Sequence, residues 1–260
     1  MGIHLEERYK TAFCIPDHHY QWIVMPFGLK NAPSEFQKAM VTLFQPLLNN
    51  ALIYVDDILL FSKDEESYEK LLTEFYNLVK SQGIMLSENK IVVGQSSIDF
   101  LGVNIPDGKY ILQPHIAASL GEFPDKLTSA KQIQQFLEIV NYMSDFIPKI
   151  SKYRHSLAQL LKKSPPEWNS VHIEAVQQLK KLAKKLPPLQ IPGSGKQILQ
   201  TDASDEYWAT TLFEELDGER SICGYKSGAF KPSELHNHST FKEILAVKHG
   251  IEKFQFHLLG

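Results

Sequence analysis

Two adjacent aspartates, Asp56 and Asp57, interrupt the apolar stretch ALIYVDDILLFSK between Ala51 and Lys63. Leu52 to Val55 before them and Ile58 to Phe61 after them read as buried strand. An unpaired carboxylate is costly to bury, and two side by side also repel each other. The chain can resolve this conflict in three ways: a solvated hairpin turn, a partner cation, or a bound metal. Turns favour Asp, yet two-residue hairpin turns favour Asp-Gly or Asn-Gly, and here the strands stay apolar to the edge of the pair. Clustered carboxylates are also what phosphoryl transfer uses to hold two Mg²⁺ ions about 4 Å apart. Pattern alone leaves the turn and the metal site evenly matched.

The surrounding chain narrows the setting. With 260 residues, 43% apolar and 22% charged, it fits one large globular domain or two smaller ones. No apolar run is long enough to span a bilayer, and Met1 starts no signal-like segment, so the expectation is a chain with no membrane partner that is not secreted. Cys14 and Cys223 match neither a disulfide framework nor a metal spacing, which suits a reducing, intracellular setting. Net charge is −3, which argues against a general nucleic-acid coat. Between Lys149 and Lys185, however, Lys and Arg far outnumber the two acids Glu167 and Glu174. Such a stripe is either the solvated face of ordinary helices or a phosphate-facing surface.

Periodicity places a helix over NAPSEFQKAMVTLFQPLL, with Asn31 as N-cap, Pro33 in the first turn and Phe36, Met40, Leu43, Phe44 and Leu47 on one face. A second amphipathic helix follows the aspartates, through Tyr68, Leu71, Leu72, Phe75 and Leu78, and stops at Gly83. KIVVG, SIDFLGVNI and KYILQ read as short strands, the last after a turn at Asp107-Gly108. This order is most of a split βαβ sandwich that lacks a strand at its front. From Gln113 to about Lys163 the pattern is helical. SPPEW and LPPLQIPGSG then flank a basic helix from Ser170 to Lys185. Three strands, KQILQTDAS, EYWATTLFEEL and RSICGYKSGAF, follow, the latter two joined at Asp217-Gly218. A final helix is expected from about Ser239 to His257.

MPFGLKNAPSEFQ breaks the tie over the aspartates. Gly28 permits close backbone approach, and the run leads into a helix N-terminus, a natural seat for phosphate or base. VMPFGLKNAPSEFQ, then YVDDILLFS, GIMLSENK and FLGVNI, resembles in order and spacing the palm of a reverse transcriptase. SDFIPKISKYR, TDASDEYWATTL and ICGYKSGAF resemble the caulimovirus-like plant pararetroviruses, with Ty3-type retroelements next nearest. The resemblance runs from Thr11 onward.

It implies an α+β chain with a palm and finger remnant over residues 1–112, a helical thumb over 113–165, a connection over 166–195 and the N-terminal part of an RNase H-like α/β domain over 196–260. It implies an RNA-directed DNA polymerase with RNase H, acting on an RNA or DNA template–primer duplex and deoxynucleoside triphosphates with Mg²⁺, or Mn²⁺ in its place, in the cytoplasm or a virus-like particle. Asp56 and Asp57 would be catalytic metal-binding residues. Phe27 and Gly28 would line the incoming nucleotide, with Gln37 nearby. Lys90 would be a proton donor near the pyrophosphate, where a solvated lysine is the competing reading. Phe100, Leu101 and Gly102 would grip the primer end, although a core strand explains Phe100 and Leu101 equally well. Asp202 and Glu243 would be the first two metal-binding carboxylates of the RNase H unit. His18, His236 and His238 are expected at the surface with no ligand role.

The polymerase family holds its metals with three aspartates, the first on a strand before the TAF motif, and Met1 to Lys10 contain no aspartate. Further RNase H aspartates are expected beyond the helix of Glu243. The resemblance therefore implies a chain truncated at both ends and catalytically incomplete alone. The alternative is a non-catalytic nucleic-acid-binding relic of an endogenous element.

Overall fold

Helix-forming and strand-forming stretches alternate around the two aspartates, and each is stopped by a local signal. In the first compact unit, Met1–Val93, a 3-10 turn over Leu5–Thr11 leads into a short hairpin of β1 (Phe13–Ile15) and β2 (His18–Tyr20). Helix α1 (Ala32–Leu43) starts after Asn31, whose side chain makes no capping bond. It ends earlier than its apolar spacing predicts, and Gln45–Leu47 forms a separate 3-10 turn. Strands β3 (Ala51–Tyr54) and β4 (Asp57–Leu60) form the aspartate-bearing hairpin. Helix α2 (Glu65–Ser81) is capped by the Asp64 carboxylate, which accepts from Ser67 N–H at 2.8 Å. Gly83, at φ +65°, ends it, and the Gly83 and Ile84 amides return to the carbonyls of Lys80 and Val79, which satisfies two of the helix's last acceptors. Phe44, Leu47, Ala51, Leu71 and Val79 form this unit's core.

The second unit, Gly94–Gly260, begins with β5 (Ser97–Phe100), β6 (Val103–Pro106) and β7 (Lys109–Leu112). Helices α3 (Pro114–Gly121), α4 (Ala130–Tyr142), α5 (Ser151–Gln159) and α6 (Ser170–Ala183) follow. They converge on a core that includes Phe136, Val140, Met143, Leu157, Val176 and Leu179. Strand β8 (Leu189–Gln190) then adds to β7, making a four-stranded sheet. Strands β9 (Lys196–Ala203), β10 (Tyr207–Leu216) and β11 (Glu219–Ala229) form an antiparallel sheet in the order β11-β10-β9. Asp217 and Gly218, both at positive φ, make the tight β10–β11 turn. Helix α7 (Ser239–Lys253) lies on this sheet, where Gly250 lets it approach the Thr210 side chain; a Cβ there would sit 2.9 Å from Thr210 Oγ1. A short α8 (Gln255–Leu258) follows.

The computed structural model describes residues 1–106 and 108–258. The Asp107 half of the expected Asp107-Gly108 turn lies outside the described residues, as do the last two positions of the 196–260 segment. The α+β class is as expected, but several details differ. Leu52 to Val55 and Ile58 to Phe61, read as buried strand, are partly or largely exposed, with Val55 in the turn and Phe61 beyond β4. KIVVG forms no strand: Glu88–Lys90 is a 3-10 turn and Ile91 to Val93 are half exposed without a ladder partner among the described residues. LPPLQIPGSG, read only as a break, contains β8. The last helix breaks at Phe254, whose ring is buried.

The two cysteines have opposite environments. Cys14 is exposed, its Sγ 3.0 Å from His19 Nδ1. Cys223 is buried on β11, and burial, reinforced by the charge of Glu214, pushes its thiol up to about 11. Only a thiolate alkylates readily. Iodoacetamide at neutral pH should therefore modify Cys14 in the native chain and reach Cys223 only after unfolding, as read by peptide mass spectrometry.

Candidate functional site

The β3–β4 hairpin closes with Tyr54 opposite Asp57, which leaves Val55 and Asp56 as its two turn residues. Both carboxylates are thereby presented at the apex, Asp56 from the turn and Asp57 from the first position of β4, and both are exposed. The desolvation cost of an apolar hairpin is avoided by geometry. Val55 carries the strain, at φ +50°. A left-handed backbone costs an L-residue about 1–2 kcal/mol, and a β-branched residue there is an outlier that tends to mark functional turns.

Gln37, on α1, holds that turn. Its Nε2 donates to the Ile53 carbonyl at 2.9 Å and its Oε1 accepts from the Val55 amide at 2.5 Å. One amide side chain thus fixes the backbone on the residue next to Asp56 and on the strand leading into it. Among the described residues neither Asp56 nor Asp57 takes part in an ion pair. Among the described residues, then, no cation of this chain answers the pair. Nor is there a group of three or more His, Cys, Asp or Glu able to hold a metal among the described residues. What the turn offers is two hard oxygen donors, solvent-facing, on a rigidly held apex.

The other residues singled out in this unit are not part of the Gln37 clamp; the Lys90 amide donates to the Ser87 carbonyl at 2.9 Å. Phe27 is fully exposed. Gly28 sits at φ +90° with open space where a Cβ would be, so it is there for backbone conformation. Lys90 is exposed and ends the 3-10 turn over Glu88–Lys90. In the second unit, Leu101 and Gly102 form the β5–β6 turn, both at positive φ. The Tyr142 hydroxyl donates to the Leu101 carbonyl. A Cβ on Gly102 would collide with that same hydroxyl and come 2.8 Å from Ile116. The Phe100–Gly102 segment is therefore a tight hairpin tip braced by α4.

Asp202 and Glu243 occupy different environments. Asp202 lies on β9 opposite Ala209 and is ion-paired to Lys149, Nζ to Oδ2 at 2.6 Å. Glu243 is exposed in the first turns of α7. Its neighbour Lys242 is buried and donates to the Asp205 carbonyl at 2.8 Å, which ties α7 to the β9–β10 connection. His18, His236 and His238 are exposed; His238 also caps α7, accepting from the Thr240 amide through Nδ1 at 3.3 Å. Within the basic stripe, Lys149 pairs with Asp202 and Lys180 with Asp125, the latter at 2.7 Å. Lys152, Lys162, Lys163, Lys181, Lys184 and Lys185 are exposed.

Sequence reading placed Val55 in a strand, gave Tyr142 no role and counted Lys149 only in the basic stripe. A β-branched residue directly before two acids at a hairpin tip was a usable sign of the first. The other two act through contacts distant along the chain.

Replacing Gln37 with Ala removes two hydrogen bonds and leaves the Val55 amide without its acceptor. We expect Gln37→Ala to lower stability by about 1–3 kcal/mol, measured by urea unfolding, and Val55→Gly to recover part of that loss by relieving the positive φ.

Residues 3–105 match the family model of reverse transcriptase (RNA-dependent DNA polymerase), and residues 168–260 match that of the RNase H-like domain found in reverse transcriptase. The genome polyprotein of Petunia vein clearing virus is 57% identical over 259 residues, covering 100% of this chain and 12% of that protein. The enzymatic polyprotein of Cauliflower mosaic virus is 40% identical over 259 residues, 97% of this chain and 38% of that protein. That of Figwort mosaic virus is 39% identical. The chain thus spans well under half the length of these relatives. Among solved structures, the foamy viral protease–reverse transcriptase in complex with double-stranded DNA superimposes with a TM-score of 0.82 at 20% identity, over 100% of this chain and 46% of that one. The foamy viral protease–reverse transcriptase in complex with an RNA/DNA hybrid also gives 0.82 at 20% identity, over 100% of this chain and 35% of that one. The hairpin of paired aspartates, the helices after it and the β9–β11 sheet with α7 therefore belong to one family: this chain is a member of the reverse transcriptase–RNase H region of plant pararetrovirus polyproteins.

Proposed function

We propose that this chain contributes the palm, thumb and RNase H-like parts of an RNA-directed DNA polymerase, within a longer polyprotein. The observation that carries the reading is the exposed, unpaired Asp56–Asp57 apex, held in a strained turn by Gln37. Strain at a turn that also exposes two like charges serves no packing purpose; it suits a site that meets a cation and phosphates. The two carboxylates fit a divalent cation as hard oxygen donors. Mg²⁺ or Mn²⁺ bound there would supply positive charge to nucleotide phosphates and activate the attacking hydroxyl.

The chain's own residues would do the rest. Phe27 and the open backbone at Gly28 would face the nucleotide, and Gln37 would keep the carboxylates in place. Lys90 Nζ would give a proton to the leaving pyrophosphate. The braced tip at Phe100–Gly102 would bear on the primer end. In the RNase H-like part, Asp202 and Glu243 are the carboxylates we assign to metal binding; α7 packs on the sheet face of Leu199 and Thr210, and strand alternation turns Asp202 to the other face, so the fold as it stands does not bring the two together. The exposed lysines of the thumb and connection would meet duplex phosphates. Double-stranded DNA and an RNA/DNA hybrid, the ligands of the foamy viral structures, are the partner class we infer, with deoxynucleoside triphosphates as substrate. We keep the division into residues 1–112, 113–165, 166–195 and 196–260 as the working domain scheme, and an intracellular setting with it. Among the described residues no helix is long and apolar enough to cross a membrane.

A second reading, a duplex-binding chain without turnover, draws on the lack of a three-ligand cluster among the described residues. The two separate experimentally. The 260-residue polypeptide alone is expected to bind a template–primer duplex with affinity that falls steeply with salt and to show no primer extension. A polyprotein-length enzyme carrying this segment should extend a primer. There Asp56→Asn or Asp57→Asn should reduce extension by on the order of 100-fold or more without weakening duplex binding. Retained extension in either variant contradicts the assignment.

A further inference from the structure

The β5–β6 tip is a turn that its own residues do not favour. Phe100 pairs with Val103, so Leu101 and Gly102 alone make the bend, at φ +47° and +77°. Turns with two left-handed positions favour Asn-Gly or Asp-Gly, and leucine in the first of them is disfavoured. Neighbouring helices hold the turn instead. The Gly102 carbonyl accepts from the Gln113 amide at 3.1 Å, at the entry to α3. The Leu101 carbonyl accepts from the Tyr142 hydroxyl, which comes from the last residue of α4.

Position 102 is shaped around that hydroxyl. Besides needing the left-handed φ, a side chain there would run into Tyr142 and into Ile116, whose Cδ1 lies 2.8 Å from the place of a Cβ. The Tyr142 end of α4 is itself fixed. Ile133, Phe136 and Val140 anchor the helix in the core, and the adjacent Asn141 Oδ1 accepts from Arg154 of α5 at 3.0 Å. Partial burial raises the Tyr142 phenol above its usual value, which keeps it a donor across the neutral range.

Stability does not explain the bond. Leu101 and Tyr142 are 39% and 44% exposed, so water would satisfy the carbonyl and the hydroxyl alike if they parted. What the bond determines is where the tip lies. We propose that Tyr142 is a positioning residue for primer extension: holding the Leu101 carbonyl from the end of α4, it sets where the tip meets the primer end. The inference rests on the reading of Phe100–Gly102 as the primer-contacting tip. Tyr142 touches no reacting atom in this scheme. It acts through the tip backbone, so its loss lets the primer hydroxyl drift from the line of attack, and a small misplacement of that kind slows the chemical step. Nucleotide and duplex are held by other residues, so their binding does not change.

The test uses a polyprotein-length enzyme carrying this segment, a template–primer duplex and single-turnover extension. Tyr142→Phe keeps the ring and removes only the hydroxyl. Its extension rate at saturating nucleotide should fall about three- to tenfold. The nucleotide concentration at half-maximal rate and the duplex affinity should stay at wild-type values. A primer ending in photoreactive thiothymidine should crosslink to the peptide that holds Phe100–Gly102, read by mass spectrometry, and at lower yield in Tyr142→Phe. Equal rates and equal yields in the two proteins overturn the positioning inference while sparing the tip's contact with the primer. Wild-type crosslinks that miss Phe100–Gly102 overturn the reading of the tip itself. Weakened duplex binding in Tyr142→Phe also overturns the inference, since Tyr142 would then be a duplex contact or a folding residue.

Discussion

The structure around the first two aspartates depends on one backbone constraint. The two carboxylates are presented at the hairpin apex by a two-residue turn that puts Val55 in the left-handed region. Such a turn is unfavourable for valine, so something else must hold it. Gln37 does so with two hydrogen bonds to the hairpin backbone. Gln37 can reach because α1 is fixed beneath the hairpin by a core that includes Phe44, Leu47 and Ala51. Packing, helix position, turn strain and carboxylate exposure form one chain of cause, and cutting it at Gln37 leaves the carboxylates on a loose loop.

The second unit solves a different problem with other means. Its helices and sheets share a core from Leu112 through Leu189, against which Ile222 and Tyr225 of β11 also pack. The Tyr110 hydroxyl donates to the Cys223 carbonyl at 2.8 Å, and burial with the nearby Asp145 charge raises that phenol's pKa. The thumb-like helices and the β9–β11 sheet therefore form a continuous body, so a charge on one can sit against a charge on the other. Lys149 and Asp202 are the consequence. One carboxylate site is kept open by backbone geometry; the other is neutralised across a docked seam.

Much of this was legible beforehand because the signals were local. Gly83 and Asp217-Gly218 stop or turn the chain as their types dictate, and the apolar spacing read over α2 includes its buried Leu71. What failed had a physical reason. KIVVG has the β-branched content of a strand, but a strand needs a ladder partner and Ile91 to Val93 have none among the described residues. β8 is only two residues long and lies between prolines, so its hydrogen bonds to β7 decide it rather than its own propensity. Asp56 and Asp57 stood out in sequence as a contradiction between polarity and context. The Gln37 clamp and the Lys149 ion pair are contacts between distant positions, and no periodicity encodes them.

The central claim is that the hairpin apex exists to hold divalent cations against nucleotide phosphates. Anomalous diffraction from crystals of a polyprotein-length enzyme carrying this segment, grown with template–primer, nucleotide and Mn²⁺, tests it most directly. Manganese peaks within coordination distance of the Asp56 and Asp57 carboxylates, beside the nucleotide phosphates, are the expected result. Ordered nucleotide and manganese elsewhere, with both carboxylates turned to bulk solvent, would contradict the account.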